Sequence, residues 1–337
     1  MKRNPLLYSI LVCLFLCVIP ERSAASHVVK FISNIDGLTN NSVNCIFEDT
    51  GHTVWIGTWD GLNAYDGRDI RTFRYSKSDP NTISNNIIRQ IIELGDDLWI
   101  ATDDGVNRLD KNNDKITRYY LRKENKIPNQ EKSFILGKTA DEKLYCLVKG
   151  VGLFFYNSKI EDFQAVTMDF LEQVKDFCID HSNHMFFLLE NGQVKYLTGR
   201  SPGDGVHLSD LRTVLPDTSV DRMFFSDNRF VLVQGGNLFL LNPDFTIEQH
   251  IRLDSHKTVS KVVWAGKDLY AGFVEGGCIR YNTENDTYTS LNEFPAHLSV
   301  FTLYSGSQDI LWIGTDGHGV AQYLSLIHIS EPTRRTP

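Results

Sequence analysis

Three groups of residues in this chain have the types and spacing for chemistry. Asp180-His181-Ser182-Asn183-His184 places two imidazoles three residues apart beside a carboxylate, a spacing that can bring both rings to one divalent ion. Glu48 and Glu93 fall at corresponding points of two similar stretches and could act as an acid and a base on a glycosidic bond. The third group is larger and starts at Trp59, Asp60 and Asn63, continues through Asn86, Arg89, Asp103, Asp104 and Asn107, and ends at Asp316 and His318. An aromatic face beside carboxylates and amides suits the CH faces and hydroxyls of a sugar. Asn41 belongs with this group by position. No Gly-rich phosphate loop, Ser-His-Asp order or nucleophile elbow stands out.

Each group has an ordinary structural reading beside the chemical one. Asp and Asn in turns satisfy local backbone N–H groups. A His-x-x-His within a short polar turn is more often solvated than metal-bound, and a carboxylate at the end of a strand is commonly just exposed. The placement of these residues therefore decides, and that depends on the elements that carry them.

Those elements repeat. Val54-Trp55-Ile56-Gly57-Thr58-Trp59-Asp60-Gly61-Leu62-Asn63 is an apolar run, an Asp-Gly turn and a second apolar run, the pattern of a β-hairpin. Its aromatic position recurs as Trp99, Tyr145, Phe186, Val231, Tyr270 and Trp312, at gaps of 44, 46, 41, 45, 39 and 42 residues. A second column, a Gly four residues before a Tyr or Leu, keeps the same register in Gly61/Tyr65, Gly105/Leu109, Gly152/Tyr156, Gly192/Tyr196, Gly277/Tyr281 and Gly319/Tyr323. A period of 40 to 45 residues with several short strands per unit is the period of a propeller blade.

The first unit reads as four strands, lettered a to d from the centre outwards: Val43 to Glu48, Val54 to Thr58, Leu62 to Tyr65 and Ile70 to Tyr75. Seven units are present. The last has only a, b and c, while His27 to Ser33, ahead of the first unit, resembles a strand d. The expected fold is all-β: a seven-bladed β-propeller of four-stranded antiparallel blades, closed by the N-terminal strand, which leaves no blade with a bare edge. In this order the d–a connections and b–c turns share one face, where the ten sugar-type candidates lie, and the a–b and c–d turns share the other. Trp55, Trp99 and Trp312 are expected to pack between blades. Thr198 to Ser219 reads as a long loop around a short strand near Val206 to Leu208, and Arg122 to Lys132 as a polar connection.

Composition bounds the function. The chain has 337 residues and a formal charge of -8, which argues against a surface built for nucleic acid or anionic lipid. Lys2-Arg3, an apolar stretch from Leu6 to Ile19 and Ser23-Ala24-Ala25 read as an export signal covering residues 1–25, followed by the propeller over 26–324. Beyond the two cysteines in the signal, Cys45, Cys146, Cys178 and Cys278 lie in strands without metal spacing and read as buried free thiols. Residues 325–337 do not continue the repeat; Leu326 to Arg335 resembles a translated sequencing adapter and is read as a non-native tail, with the natural protein expected to continue.

Asp36-Gly37-Leu38, Asn41-Ser42-Val43, Asp49-Thr50-Gly51, Val54-Trp55-Ile56-Gly57-Thr58, Asp60-Gly61-Leu62 and Tyr65 together resemble the two-component regulator propeller repeat. Units two and seven match nearly as well; units three to six keep the period and lose the Trp-Ile-Gly-Thr core. The resemblance covers roughly Val28 to Leu324. It implies the N-terminal periplasmic sensor propeller of a hybrid two-component histidine kinase of Bacteroidetes-like bacteria, responding to an oligosaccharide. It also implies partners in the same protein: a second propeller, a β-sandwich, a membrane helix, the kinase and a response regulator, with signalling through a conformational or homodimer equilibrium. On this reading the chain has no catalysis, no cofactor and no metal of its own, and meets a membrane only through the parts downstream. A propeller glycan lyase or hydrolase, and a protein-binding scaffold, are the alternatives from other classes.

Overall fold

In the computed structural model, which describes residues 27–121, 133–170, 173–198, 205–253 and 256–325, seven four-stranded antiparallel sheets follow one another along the chain. Blade 1 consists of Val43–Glu48, Val54–Thr58, Gly61–Tyr65 and Ile70–Phe73, paired in that order. Strand a of every blade touches strand a of both neighbours, blade 7 meeting blade 1, so the sheets form a closed ring around the inner strands. The export signal, the connection Arg122 to Lys132 and the tail from residue 326 lie outside the described residues.

Closure follows the sequence expectation. His27–Ile32 pairs antiparallel with Val320–Ser325, in register from His27 opposite Ser325 to Ile32 opposite Val320, and completes blade 7 with Ile310–Thr315 and Val300–Ser305. Its side chains serve two seams. Val29 and Phe31 pack on a cluster that includes Phe294 and Tyr323, while Ile32 joins Val43, Ile56 and Trp312 between blades 7 and 1.

The core lies between blades. Trp55 and Leu62 of blade 1 pack with Ile88, Leu98 and Ile100 of blade 2, and Trp99 of blade 2 packs with Phe134 and Leu136 of blade 3. Strand b is therefore covered on both faces: all of Val54–Thr58 is buried, which explains its unbroken apolar run. The glycine of that run has a steric cause. A Cβ on Gly57 would come within 2.5 Å of the Cys45 Sγ and 2.6 Å of Ile88 in blade 2, and one on Gly314 within 2.9 Å of Val43 in blade 1.

One expectation fails. Val206 does not lie in a strand of blade 4; it makes a single parallel bridge to Met168, its N–H donating to the Thr167 carbonyl at 2.7 Å, and Leu208–Asp210 is a turn of 3-10 helix. Strand d of blade 4 is Arg212–Thr213, opposite Lys195 and Tyr196. The apolar side chain decides this: Val206 is drawn into the cluster of Val166, Phe170 and Leu197. Residues 199–204 of that loop lie outside the described residues.

Candidate functional site

The face formed by the d–a connections and b–c turns, here the upper face, is built by one backbone device. The residue after strand b donates its N–H to the carbonyl just ahead of strand a: Trp59 to Ser42, Asp103 to Ile87, Lys149 to Ser133, Glu190 to Gln173, Val274 to Thr258 and Asp316 to Ser299, at 2.7 to 3.2 Å. Six blades thus hold equivalent positions that carry unlike side chains. A β-bulge adds to this in five of the seven inner strands, between Val43 and Cys45, Ile88 and Gln90, Val174 and Asp176, Val259 and Lys261, and Val300 and Thr302. The bulge leaves Arg89 out of the ladder and re-aims it.

Arg89 consequently reaches two neighbours. Its Nε and Nη2 donate to the Asp103 carboxylate at 2.5 and 3.1 Å, and its guanidinium lies 5.7 Å from the centre of the Trp59 ring. Trp59 is 46% exposed, in contrast to the buried Trp55, Trp99 and Trp312. Asp60 accepts from the Asn86 side chain at 2.9 Å and pairs with Arg74 at 3.2 Å, while Asn86 accepts the Tyr75 N–H at 2.7 Å. Trp59, Arg89 and Asp103 therefore form one set and Asp60, Asn86 and Arg74 a second, adjoining at the consecutive residues Trp59 and Asp60. Asp316, on the other side of blade 1, accepts from the Ser42 hydroxyl at 2.7 Å, and the His318 ring turns back to the Asp316 carbonyl at 3.3 Å. The Asp104 N–H is held by the Thr102 hydroxyl at 3.3 Å.

Asn63 and Asn107 are corrections to the sequence reading: both are 0% exposed. Asn63 accepts the Thr39 N–H at 2.9 Å and donates to the Ile56 carbonyl and the Thr39 hydroxyl; Asn107 treats Ser84 and Ile100 in the same way. They tie the d–a connection down onto the blade from beneath the surface. Asn41 is likewise local, exchanging hydrogen bonds with Asn34 at 2.7 and 3.0 Å. Conversely, the sequence reading assigned Tyr75 to strand d, but strand d stops at Phe73 and Tyr75 is 42% exposed on the upper face with the Arg118 guanidinium 5.2 Å from its ring centre. Blade 2 likewise carries an exposed tyrosine, Tyr120, just past its strand Ile116–Tyr119. Lys149, Glu190 and Val274 were also missed, because their blades lack the Trp-Ile-Gly-Thr marker.

The other two groups are structural. Glu93 is only 7% exposed, against the expectation of a solvated strand end. It accepts the Thr50 N–H and hydroxyl of blade 1 and the Lys111 ammonium; Glu48 accepts the Ser307 N–H and hydroxyl of blade 7 at 2.7 and 2.5 Å, with His52 at 2.9 Å. Burial opposes their ionisation, but the hydrogen bonds from Lys111 and Thr50, and from Ser307 and His52, outweigh it and hold both carboxyls below the usual carboxylate range. The two acids thus fasten two different seams on the lower face.

Asp180 accepts the Ser182 and His184 N–H groups and pairs with the His184 ring at 2.7 Å, as Asp49 accepts Gly51, Thr53 and the Trp55 indole. His184 therefore closes a turn. No group of three or more His, Cys, Asp or Glu able to hold a metal occurs among the described residues. The four cysteines are free, and burial pushes the Cys45 thiol up to about 12, so it stays protonated.

Comparison with known proteins matches residues 37–60 to the two component regulator propeller family. Over 82 residues, 24% of this chain and 6% of the relative, the sequence is 34% identical to Histidine kinase P4 of Formosa agariphila. Two crystal structures of B. thetaiotaomicron extracellular domains, from proteins described as hybrid two component systems, share the fold. One superposes with a TM-score of 0.71 at 16% identity, over 89% of this chain and 42% of that one, the other with 0.70 at 16% identity, over 88% and 42%. The chain thus spans less than half of the length of these relatives.

Proposed function

We propose that this propeller is the extracytoplasmic sensor part of a hybrid two-component histidine kinase and that it binds a glycan-derived oligosaccharide on its upper face without catalysis. The observation that carries the reading is the Trp59, Arg89 and Asp103 group: a half-exposed indole, fixed by a guanidinium that is itself fixed by a carboxylate, at turns where the copies of the repeat diverge. A rigid aromatic face can stack on a sugar ring, and the flanking Asp60, Asn86, Asp104, Asp316 and His318 offer hydroxyl partners at small ordering cost. The match at residues 37–60 and the identity to a histidine kinase support the signalling context. In the whole protein the binding energy would shift a conformational or dimeric equilibrium, with a second propeller and the membrane-anchored kinase as partners and the periplasm as the compartment.

Calorimetric titration with a panel of oligosaccharides tests the reading. Heat without product is expected, and Trp59→Ala should weaken binding by about tenfold or more. Product formation would instead make the chain a glycan lyase or hydrolase, and silence across the panel would leave a protein-binding scaffold.

A further inference from the structure

The upper face carries a recess between blades 5 and 6, on the far side of the ring from Trp59. Its volume is about 380 Å³, and Arg222, His256, Lys257, Thr258, Asp221 and Gly235 line it. Arg222 opens strand a of blade 5, and His256 to Thr258 form the d–a connection entering blade 6, so the recess lies at the same level as the Trp59 group.

Its cations are placed but not used up. Arg222 donates one N–H to the Ser260 carbonyl at 3.2 Å, which leaves most of its fork open. Lys257 donates to the Gly276 carbonyl at 2.7 Å and lies 5.5 Å from the centre of the Phe273 ring, an arrangement that fixes the ammonium and leaves two of its hydrogens. Three acids lie near these cations: Asp221 accepts the Gly235 N–H at 2.7 Å, Glu275 accepts the Thr258 N–H and hydroxyl at 2.7 and 2.8 Å, and Asp176, whose charge acts on Arg222, accepts the Phe177 N–H at 2.8 Å. Two cations and an imidazole thus face one concavity beside two carboxylates whose oxygens are already held by backbone N–H groups.

We propose that this recess binds the anionic group, carboxylate or sulfate ester, of an acidic sugar, so that the ligand class is an acidic oligosaccharide. The inference rests on the oligosaccharide reading above. Two oxygens of either anion match the open side of the Arg222 fork, with Lys257 as a second point charge.

The test is calorimetry on the full chain with trigalacturonate, its methyl-esterified form, a sulfated galactan tetrasaccharide and neutral oligosaccharides. One or both acidic probes should bind at least about tenfold more tightly than the ester, the stronger one naming the anion. The Arg222→Gln, Lys257→Gln double variant should lose that preference and keep neutral binding, whereas Trp59→Ala should weaken every probe. Equal binding of acid and ester, or a preference that survives in the double variant, overturns the anion site and leaves the oligosaccharide reading standing. Neutral binding with no acidic binding does the same, and no binding by any probe overturns both. If the double variant does not fold, the acid-against-ester comparison on the unaltered chain still decides.

Discussion

Asn63 spends both ends of its amide on the chain that crosses above it. Its type and its place after an Asp-Gly turn marked it as a ligand residue, but strand c is covered on both sides, so the position is sealed beneath Thr39. Sequence spacing gave the right face of the molecule and the wrong depth. Trp59 differs because it falls after strand b, outside the covered ladder. Asn63→Ala strands the Thr39 N–H and the Ile56 carbonyl, a loss of about 1–3 kcal/mol. A lower urea midpoint with unchanged oligosaccharide affinity is expected; a large loss of affinity in a variant of normal stability would return Asn63 to the ligand site.

At the scale of the strand, the Gly57 contact sets how closely two blades approach. A methyl group there meets Ile88 and Cys45 well inside van der Waals distance, so Gly57→Ala should cost about 1–3 kcal/mol through blade displacement. Gly67, a turn glycine with nothing near its Cβ direction, has no such neighbour, so any cost of Gly67→Ala is only that of its left-handed backbone. Chemical denaturation of the two variants, with the spacing of the seam read by crystallography of Gly57→Ala, checks the difference.

The ends of strands a in blades 1 and 2 make stability depend on pH. Glu48 and Glu93 have folded pKa values below the ordinary 4.5, so the folded state binds their protons less readily than the unfolded chain. Their contribution is fully present above about 4.5 and is lost as pH falls from there through the lower folded values. Glu93→Gln should be less stable than the parent at pH 7, with the difference shrinking by pH 4, as measured by urea midpoints at the two values. A difference that stays constant would mean that Glu93 acts through shape alone. These seam bonds were illegible in the sequence because their partners are 43 and 259 residues apart, with no pattern linking them.

The ring as a whole was legible, since a period that survives in two independent columns needs no individual blade to be perfect. Blade 4 shows the limit: once its outer strand shrinks to Arg212–Thr213, alternation has too few residues to register, and burial of Val206 places the loop. Closure rests on two kinds of contact that can be separated. One is the ladder between His27–Ile32 and Val320–Ser325; the other is the seam, where Ser42 donates to Asp316, Ser307 to Glu48, and the Tyr65 and Trp312 rings meet edge to face at 6.1 Å. Deleting His27–Ile32 removes the first, and with Ile32 a part of the apolar seam, but leaves these seam hydrogen bonds and the ring pair. It bares the edge of Val320–Ser325 and uncovers Phe294 and Tyr323, so a lower denaturation midpoint and concentration-dependent association by sedimentation are expected. Glu48→Ala removes part of the seam and leaves the ladder; it should lower the midpoint without association. If the deleted chain stays monomeric at the parent midpoint, the seam alone closes the ring and the N-terminal strand is only a cover.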